Sequence, residues 1–361
     1  MRAANHPEWV RTLLSPLALF YGQFMRVRAV LYARGTLRAR RLPAKVISVG
    51  NLTVGGTGKT PLVLWLAQRF AARGWKVAVL SRGYGRASNA ARIVSRRNVR
   101  VEEVGDEPVL LARHLAGVLL GIAGDRFAVG LRLAEQHRPD VFLLDDGFQH
   151  LRVARDLDIV VLDSSDPFGG GYVLPAGRLR EPVQALARAD LVVLTRLRNG
   201  ADQLIETIRL YNPRAPVFGT RTRLIEVLDA TSHKQVSART FERTPVLAFC
   251  GIGNEVAFWQ DVRAWGFALA GTLAFPDHHR YSVEDFKHIV RQADCVGAQA
   301  LLTTEKDVVN FTVLPPSVPP CYYCRIEPEF DDEEGFWSTL LAQLKLPAAA
   351  MPARAETPYV H

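Results

Sequence analysis

The stretch GNLTVGGTGKTP, residues 50–61, places Gly55, Gly56 and Gly58 directly before Lys59 and Thr60. Glycines there let backbone N–H groups turn toward an anion. A following lysine reaches outer phosphates, and a threonine hydroxyl suits Mg²⁺. The chemistry indicated is nucleotide phosphate binding. The strict spacing asks for a glycine five places before Gly58, where Thr53 stands instead. A purely structural glycine turn, however, has no use for Lys-Thr at the start of a helix. The second chemical element is VFLLDDGFQH, residues 141–150, an apolar run ending in Asp145 and Asp146. Such a carboxylate edge is what a P-loop site requires for its metal. The bland alternative is that paired acids at a strand end cap a following helix.

These residues need a strand before the glycines and an amphipathic helix after them, and VISVG (46–50) and TPLVLWLAQRF (60–70) provide both. Further apolar runs fall at 76–81, 118–124, 140–146, 158–165 and 191–197, with helical patterns at 60–73, 108–116, 126–137 and 181–189. Short, uniformly apolar strands alternating with helices predict an α/β fold: a parallel sheet covered on both faces. After about residue 220 a smaller alternation follows, with strands at 245–253, 268–275 and 300–307 and helices at 255–265 and 283–293. The expected organisation is an N-terminal helix over 1–35, a P-loop domain over 36–222, a smaller α/β domain over 223–345 and a disordered tail over 346–361.

At 361 residues the chain is long enough for two cores, and 48% hydrophobic with 22% charged residues excludes a disordered protein. Four cysteines make no disulfide framework and point to a reducing compartment. Cys321 and Cys324, in CYYC, have metal-ligand spacing, but no second pair or nearby histidine completes a site, so the segment reads as a strand. The net charge of +9 is concentrated in residues 1–45, where nine Lys or Arg face the single acid Glu8. Among them lies an uncharged run of 14 residues, Thr12 to Met25, too short to span a bilayer. It reads either as a helix packed on the domain with a solvated basic face, or as an amphipathic helix lying in a membrane interface. No nucleic-acid module follows the basic stretch, so nucleic acid is not an expected partner.

Two functional classes use such a P-loop. A partitioning-type switch ATPase carries a lysine just before the paired glycines, and here that place is Val54. A kinase needs a second region to supply a proton acceptor. The ordered blocks GNLTVGGTGKTP, SRGYGR, VGDEP, DDGFQH, PAGRLREP, FPDHHRY and TTEKD, spread over residues 50–307, resemble those of the tetraacyldisaccharide 4′-kinase family of the bacterial inner membrane. Thr53 is no objection, because the family's own loop lacks that glycine.

The resemblance implies ATP- and Mg²⁺-dependent phosphorylation of a lipid A precursor disaccharide at its 4′-hydroxyl. It also implies two domains joined by a short strand linker, with the acceptor bound between them. The enzyme would be a peripheral or monotopic protein on the cytoplasmic face of the inner membrane, touching anionic lipids and needing no obligate protein partner. For nucleotide it implies Asn51, Thr53, Val54, Gly55, Gly56, Thr57, Gly58, Lys59, Thr60 and Tyr84, and for the metal Thr60, Asp145 and Asp146. It implies Asp106 and His278 as a catalytic carboxylate–histidine pair acting with Lys59. Glu107, Arg126, Gln149, His150, Arg178 and Glu181 would meet the acceptor. Taken without the family, Asp106 reads as a helix N-terminus, His278 as a loop histidine, and each arginine as a partner for a surface acid.

Overall fold

The computed structural model describes residues 7–83, 90–94, 101–114, 117–197, 201–315 and 317–347. The strands, in chain order, are β1 (Lys45–Gly50), β2 (Val77–Ser81), β3 (Arg92–Val94), β4 (Leu119–Ile122), β5 (Val141–Asp145), β6 (Leu157–Asp163), β7 (Leu191–Thr195) and β8 (Val217–Asp229). They continue with β9 (Gln235–Val236), β10 (Val246–Cys250), β11 (Leu269–Ala274), β12 (Ala300–Thr304) and β13 (Cys321–Phe330). All lie in one sheet of order β3-β4-β2-β5-β1-β6-β7-β8-β13-β12-β10-β11, with β9 paired to β8. Pairing is parallel except for β3 on β4 and for β8 on its partners β13 and β9. β1, β2, β5, β6 and β7 are buried almost throughout, as their unbroken apolar runs require of strands covered on both faces.

The helices are α1 (Glu8–Ala33), α2 (Lys59–Ala72), α3 (Val101–Val104), α4 (Asp106–His114), α5 (Arg126–His137), α6 (Asp202–Tyr211), α7 (Glu255–Ala264), α8 (Val283–Val296), α9 (Glu305–Val309) and α10 (Glu333–Leu344). β2 to β5 lie on one side of β1, and β6 to β8 lie on the other. The chain therefore reverses direction across β1, and the crevice at such a switch point opens over the strands' carboxyl ends. The P-loop leaves β1 there, and β5 pairs with β1 so that Val49 faces Asp145.

Several details differ from the sequence expectation. The chain over 181–189 forms a 3-10 helix at Val183–Arg188, not an α-helix. Pro182 precedes it, and the Asn212 side chain donates to the carbonyls of Leu186 and Ala189, which holds the tighter winding. α4 starts at Asp106, two residues before Pro108, because a proline in the first turn removes no helical hydrogen bond. α10 returns to the first core, where Phe336 and Trp337 pack with Trp65 and Phe70. The two lobes are thus joined by a ribbon in which β8 and β13 pair antiparallel from Thr220–Phe330 to Asp229–Tyr322. Cys321 and Cys324 sit in β13, buried in different clusters of the second lobe, as residues three apart on a strand must be. The strand reading of CYYC holds.

α1 is 26 residues long and includes Pro16. Its Ala18, Gly22 and Met25 are buried, while Trp9, Leu13, Leu17, Leu19, Phe20 and Phe24 are exposed. Among the described residues no helix is long and apolar enough to cross a membrane. Gly22 faces Pro182 and Val173. The basic residues are not all free for headgroups. Arg26 bonds Gln184, Arg28 bonds the Gln149 carbonyl, Arg40 pairs with Asp125, and Arg41 and Lys45 pair with Asp156. α1 is accordingly fastened beside both the DDGFQH and PAGRLREP segments.

Candidate active site

The P-loop backbone adopts left-handed conformations at Gly55 (φ 118°) and Gly58 (φ 85°), which side-chain-bearing residues avoid. Its frame is polar and mostly buried. Asn51 Nδ2 donates to Thr57 Oγ1 (2.9 Å), Thr195 Oγ1 to the Thr57 carbonyl (2.9 Å) and Arg196 to the Gly56 carbonyl (3.1 Å). Gln149 Nε2 donates to the Asn51 carbonyl. The missing glycine has a structural cause. Thr53 forms an antiparallel bridge with Leu179, and the amides of Val54 and Arg180 bond the carbonyls of Arg178 and Leu52, so the chain is extended where other P-loops turn.

Lys59 and Thr60 open α2. Lys59 Nζ lies 3.6 Å from Asp146 Oδ1, and Arg180 Nη1 reaches both oxygens of that carboxylate at 2.7 Å. Asp146 itself is left-handed (φ 49°), an unfavourable conformation for a non-glycine residue. Burial raises the Asp146 carboxyl, but Lys59 and Arg180 outweigh it and hold it well below the carboxylate range. Asp145 behaves oppositely. Burial, then the negative neighbours Glu107 and Asp146, push it up to about 7. Its Oδ2 meets Ser81 Oγ at 3.3 Å, and its buried Oδ1 has no partner among the described residues.

That orphaned oxygen beside Lys59 tests the site for Mg²⁺. Among the described residues no cluster of three His, Cys, Asp or Glu could hold a metal. Nucleotide-bound Mg²⁺ keeps several waters and takes only one or two carboxylates, so Asp145 with Thr60 fits it. Asp146, the other residue expected at the metal, is engaged by two cations, Lys59 and Arg180.

The second lobe reaches the P-loop through the turn after β10. A side chain at Gly253 would stand 2.5 Å from the Gly56 amide, so only glycine permits this approach. Asn254 caps α7 and donates to Asp163 Oδ2 at 2.8 Å, and Arg196 pairs with the same carboxylate. The turn after β11 carries His278 in a left-handed conformation (φ 61°), its amide bonded to the Gly251 carbonyl. His278 Nδ1 lies 2.6 Å from Asp106 Oδ2, across the junction between lobes. Its Nε2 lies 3.5 Å from Lys306 Nζ and 3.6 Å from Asp277 Oδ2, while Lys306 is held by Asp277 at 3.0 Å. A proton on Nδ1, donated to Asp106, leaves the Nε2 lone pair as the basic position. Burial opposes ionisation of both partners. The shared hydrogen bond wins, drawing Asp106 down to about 2 and raising His278 above its ordinary value.

The expected acceptor residues fare unevenly. Glu107 follows Asp106 in the first turn of α4, near Asp145. Arg126 is buried, donates from Nη1 to the Asp146 carbonyl and neighbours both aspartates, while its Nε has no partner among the described residues. Arg178 pairs with Asp166, and Glu181 is clamped by two bonds from Arg188. His150 is pushed down to about 3 by burial and then by Arg126 and Arg155, so its imidazole is neutral in the ligand-free protein. Tyr84 lies outside the described residues. Sequence reasoning gave no role to Arg180, Arg196, Asn254, Lys306 or Asn310. Arg180 lies in PAGRLREP, Lys306 in TTEKD and Asn310 shortly after it, while Arg196 and Asn254 lie at the ends of apolar runs, and only the tertiary fold brings them to the site.

The family model for tetraacyldisaccharide-1-P 4′-kinase matches residues 10–345. The tetraacyldisaccharide 4′-kinase of Pelobacter propionicus is 44% identical over 303 residues, covering 83% of this chain and 82% of that protein. The protein of the same name from Geobacter metallireducens is 44% identical, covering 83% and 88%. The crystal structure of LpxK from Aquifex aeolicus in complex with ATP superposes with a TM-score of 0.72 at 32% identity, covering 93% of this chain and 99% of that one. The chain belongs to the tetraacyldisaccharide 4′-kinase family.

Proposed function

We propose that this protein transfers the γ-phosphoryl group of ATP to the 4′-hydroxyl of a tetraacyl disaccharide 1-phosphate, giving the 1,4′-bisphosphate of lipid A biosynthesis. The observation that carries the reading is the Asp106–His278 pair, assembled from opposite lobes beside the P-loop acids. A switch ATPase has no need of a second-lobe base. His278 Nε2 accepts the hydroxyl proton as the acceptor oxygen bonds to the γ-phosphorus and the bond to ADP breaks. Asp106 stabilises the imidazolium that forms, and its own low pKa makes it the weaker base. Lys59 and the P-loop amides take up the charge on the transferring group. Thr60 and Asp145 are the residues that would hold Mg²⁺, which when bound neutralises charge between phosphate oxygens.

The test uses γ-labelled ATP with the disaccharide lipid. Label moving to the lipid supports the kinase; label released only as inorganic phosphate, with or without lipid, would establish a switch ATPase instead.

We place the protein at the cytoplasmic face of the inner membrane, lying on it. The support is the apolar, exposed face of α1 beside segments that carry the expected acceptor residues. An acceptor with four acyl chains stays in the bilayer, so an enzyme held at its surface finds it by two-dimensional search. Anionic vesicles are expected to float the protein. Flotation should weaken with salt as each basic residue's contribution of about 1 kcal/mol is screened. Protein lacking residues 1–30, or carrying Leu13→Ser, Leu17→Ser and Phe20→Ser, should stay in solution. Equal flotation of these variants would make α1 a packing helix only.

A further inference from the structure

We propose that Asn310 is a positioning residue for the phosphoryl transfer: its side-chain amide fixes Oδ2 of Asp106, the oxygen that orients His278. The inference rests on the reading of Asp106 and His278 as the proton-accepting pair. Asn310 follows α9 and is buried. Its Nδ2 donates to Asp106 Oδ2 at 3.1 Å and to the Lys306 carbonyl at 3.3 Å, and its own amide bonds the Asp307 carbonyl. A carboxylate only accepts, so the amide must present its NH₂ group to Asp106.

The connections of Asn310 show why this bond bears on the base. Its carbonyl accepts from the Tyr281 amide, and the Thr312 amide returns to the Tyr281 carbonyl. Asp307 bonds the Tyr281 hydroxyl and the Gly251 amide, and Gly251 in turn accepts from the His278 amide. His278 and Asn310 are therefore fastened into one block of the second lobe, whereas Asp106 belongs to the first. Asp106 Oδ1 is held within its own lobe by the Glu107 amide at 2.8 Å, and Oδ2 is held from across the junction by His278 and Asn310. With Asn310 gone, one oxygen of the carboxylate rests on His278 alone, and the imidazole loses its fixed reference.

The charged groups facing His278 are Asp106 from α4, Asp277 from its own turn and Lys306 from α9. Asn310 is the neutral member of the set, drawing charge from Oδ2 without adding any.

The experiment measures labelled transfer against pH for Asn310→Ala and Asn310→Asp, the former also in an Asp106→Ala background. Asn310→Ala is expected to lower kcat about tenfold with KM for ATP unchanged, and to lower it no further once Asp106 is gone. Asn310→Asp keeps the shape and adds a negative charge beside the pair. It should move the acid limb of the kcat profile to higher pH by about one unit. Losses that multiply in the double variant, or an unmoved limb in Asn310→Asp, would show that Asn310 only holds α9 in place. If His278→Ala and Asp106→Ala lose about a hundredfold or more in kcat while Asn310→Ala is wild-type, the Asn310 assignment alone falls. Wild-type rates in those two variants would remove the pair itself.

Discussion

Lys59→Ala is expected to lower kcat by about a thousandfold or more, the scale on which a preorganised charge at a transferring group acts. Lys59 is mostly buried and leans on Asp146, its nearest acid. The neighbouring cations cannot replace it. Arg180 is committed to Asp146 by two bonds of 2.7 Å, Arg126 is buried against the Asp146 carbonyl, and Arg196 is held by Asp163 and the Gly56 carbonyl. Folding should survive the change, because Arg180 continues to neutralise Asp146. The loss should therefore appear in single-turnover transfer with a melting temperature close to that of the native protein. Turnover at the native rate would mean that the glycine loop does not hold the transferring phosphate.

Much of this arrangement could be read from residues alone, and where it could not the reason is physical. β1, β5 and β6 announce themselves because a strand buried on both faces tolerates no polar alternation. The glycine loop is legible because positive φ at Gly55 and Gly58 restricts the residue type. Arg178 and Arg180 stand two residues apart in one motif and look alike. Only the pairing of Thr53 with Leu179 decides that Arg180 meets Asp146 and Arg178 meets Asp166. α10 carries an apolar pattern that fits either lobe, and the length of the β8–β13 ribbon sends it back to Trp65 and Phe70. Lys306 and Asn310 lie in and just after a helix of five residues, too short for periodicity to say which side faces the junction. Asn310 meets Asp106 from 204 positions away, and Lys306 meets Asp277 and His278 in the turn after β11.

His278→Ala should reduce kcat by about 10²–10⁴ while leaving KM for ATP within a few fold, the range for loss of a positioned base. Its pH behaviour separates it from a merely structural loss. The Asp106 carboxylate raises the His278 pKa above the ordinary 6.5, and the base works only when neutral. The native rate should therefore climb through that raised pKa and level off above it. Asp106→Asn removes the charge but leaves burial and Lys306, which both disfavour the imidazolium. Its acid limb should move to lower pH while the plateau falls at least about a hundredfold, because the imidazolium formed in the reaction loses its counter-charge. Stability should run the other way. A histidine whose folded pKa is raised contributes fully below its unfolded value of 6.5, and that contribution is lost as pH rises through the folded pKa. Asp106, drawn to about 2, contributes above the unfolded value of 3.8, and this is lost as pH falls toward 2. The ionised pair thus ties the lobes most strongly between about pH 4 and 6.5, where the base is protonated and idle. The melting-temperature gap between native protein and His278→Ala should be widest near pH 5–6 and narrow toward pH 8–9, while the gap in kcat widens over the same interval. Two gaps that rise and fall together would mean that His278 serves the lobe junction and that another group takes the proton.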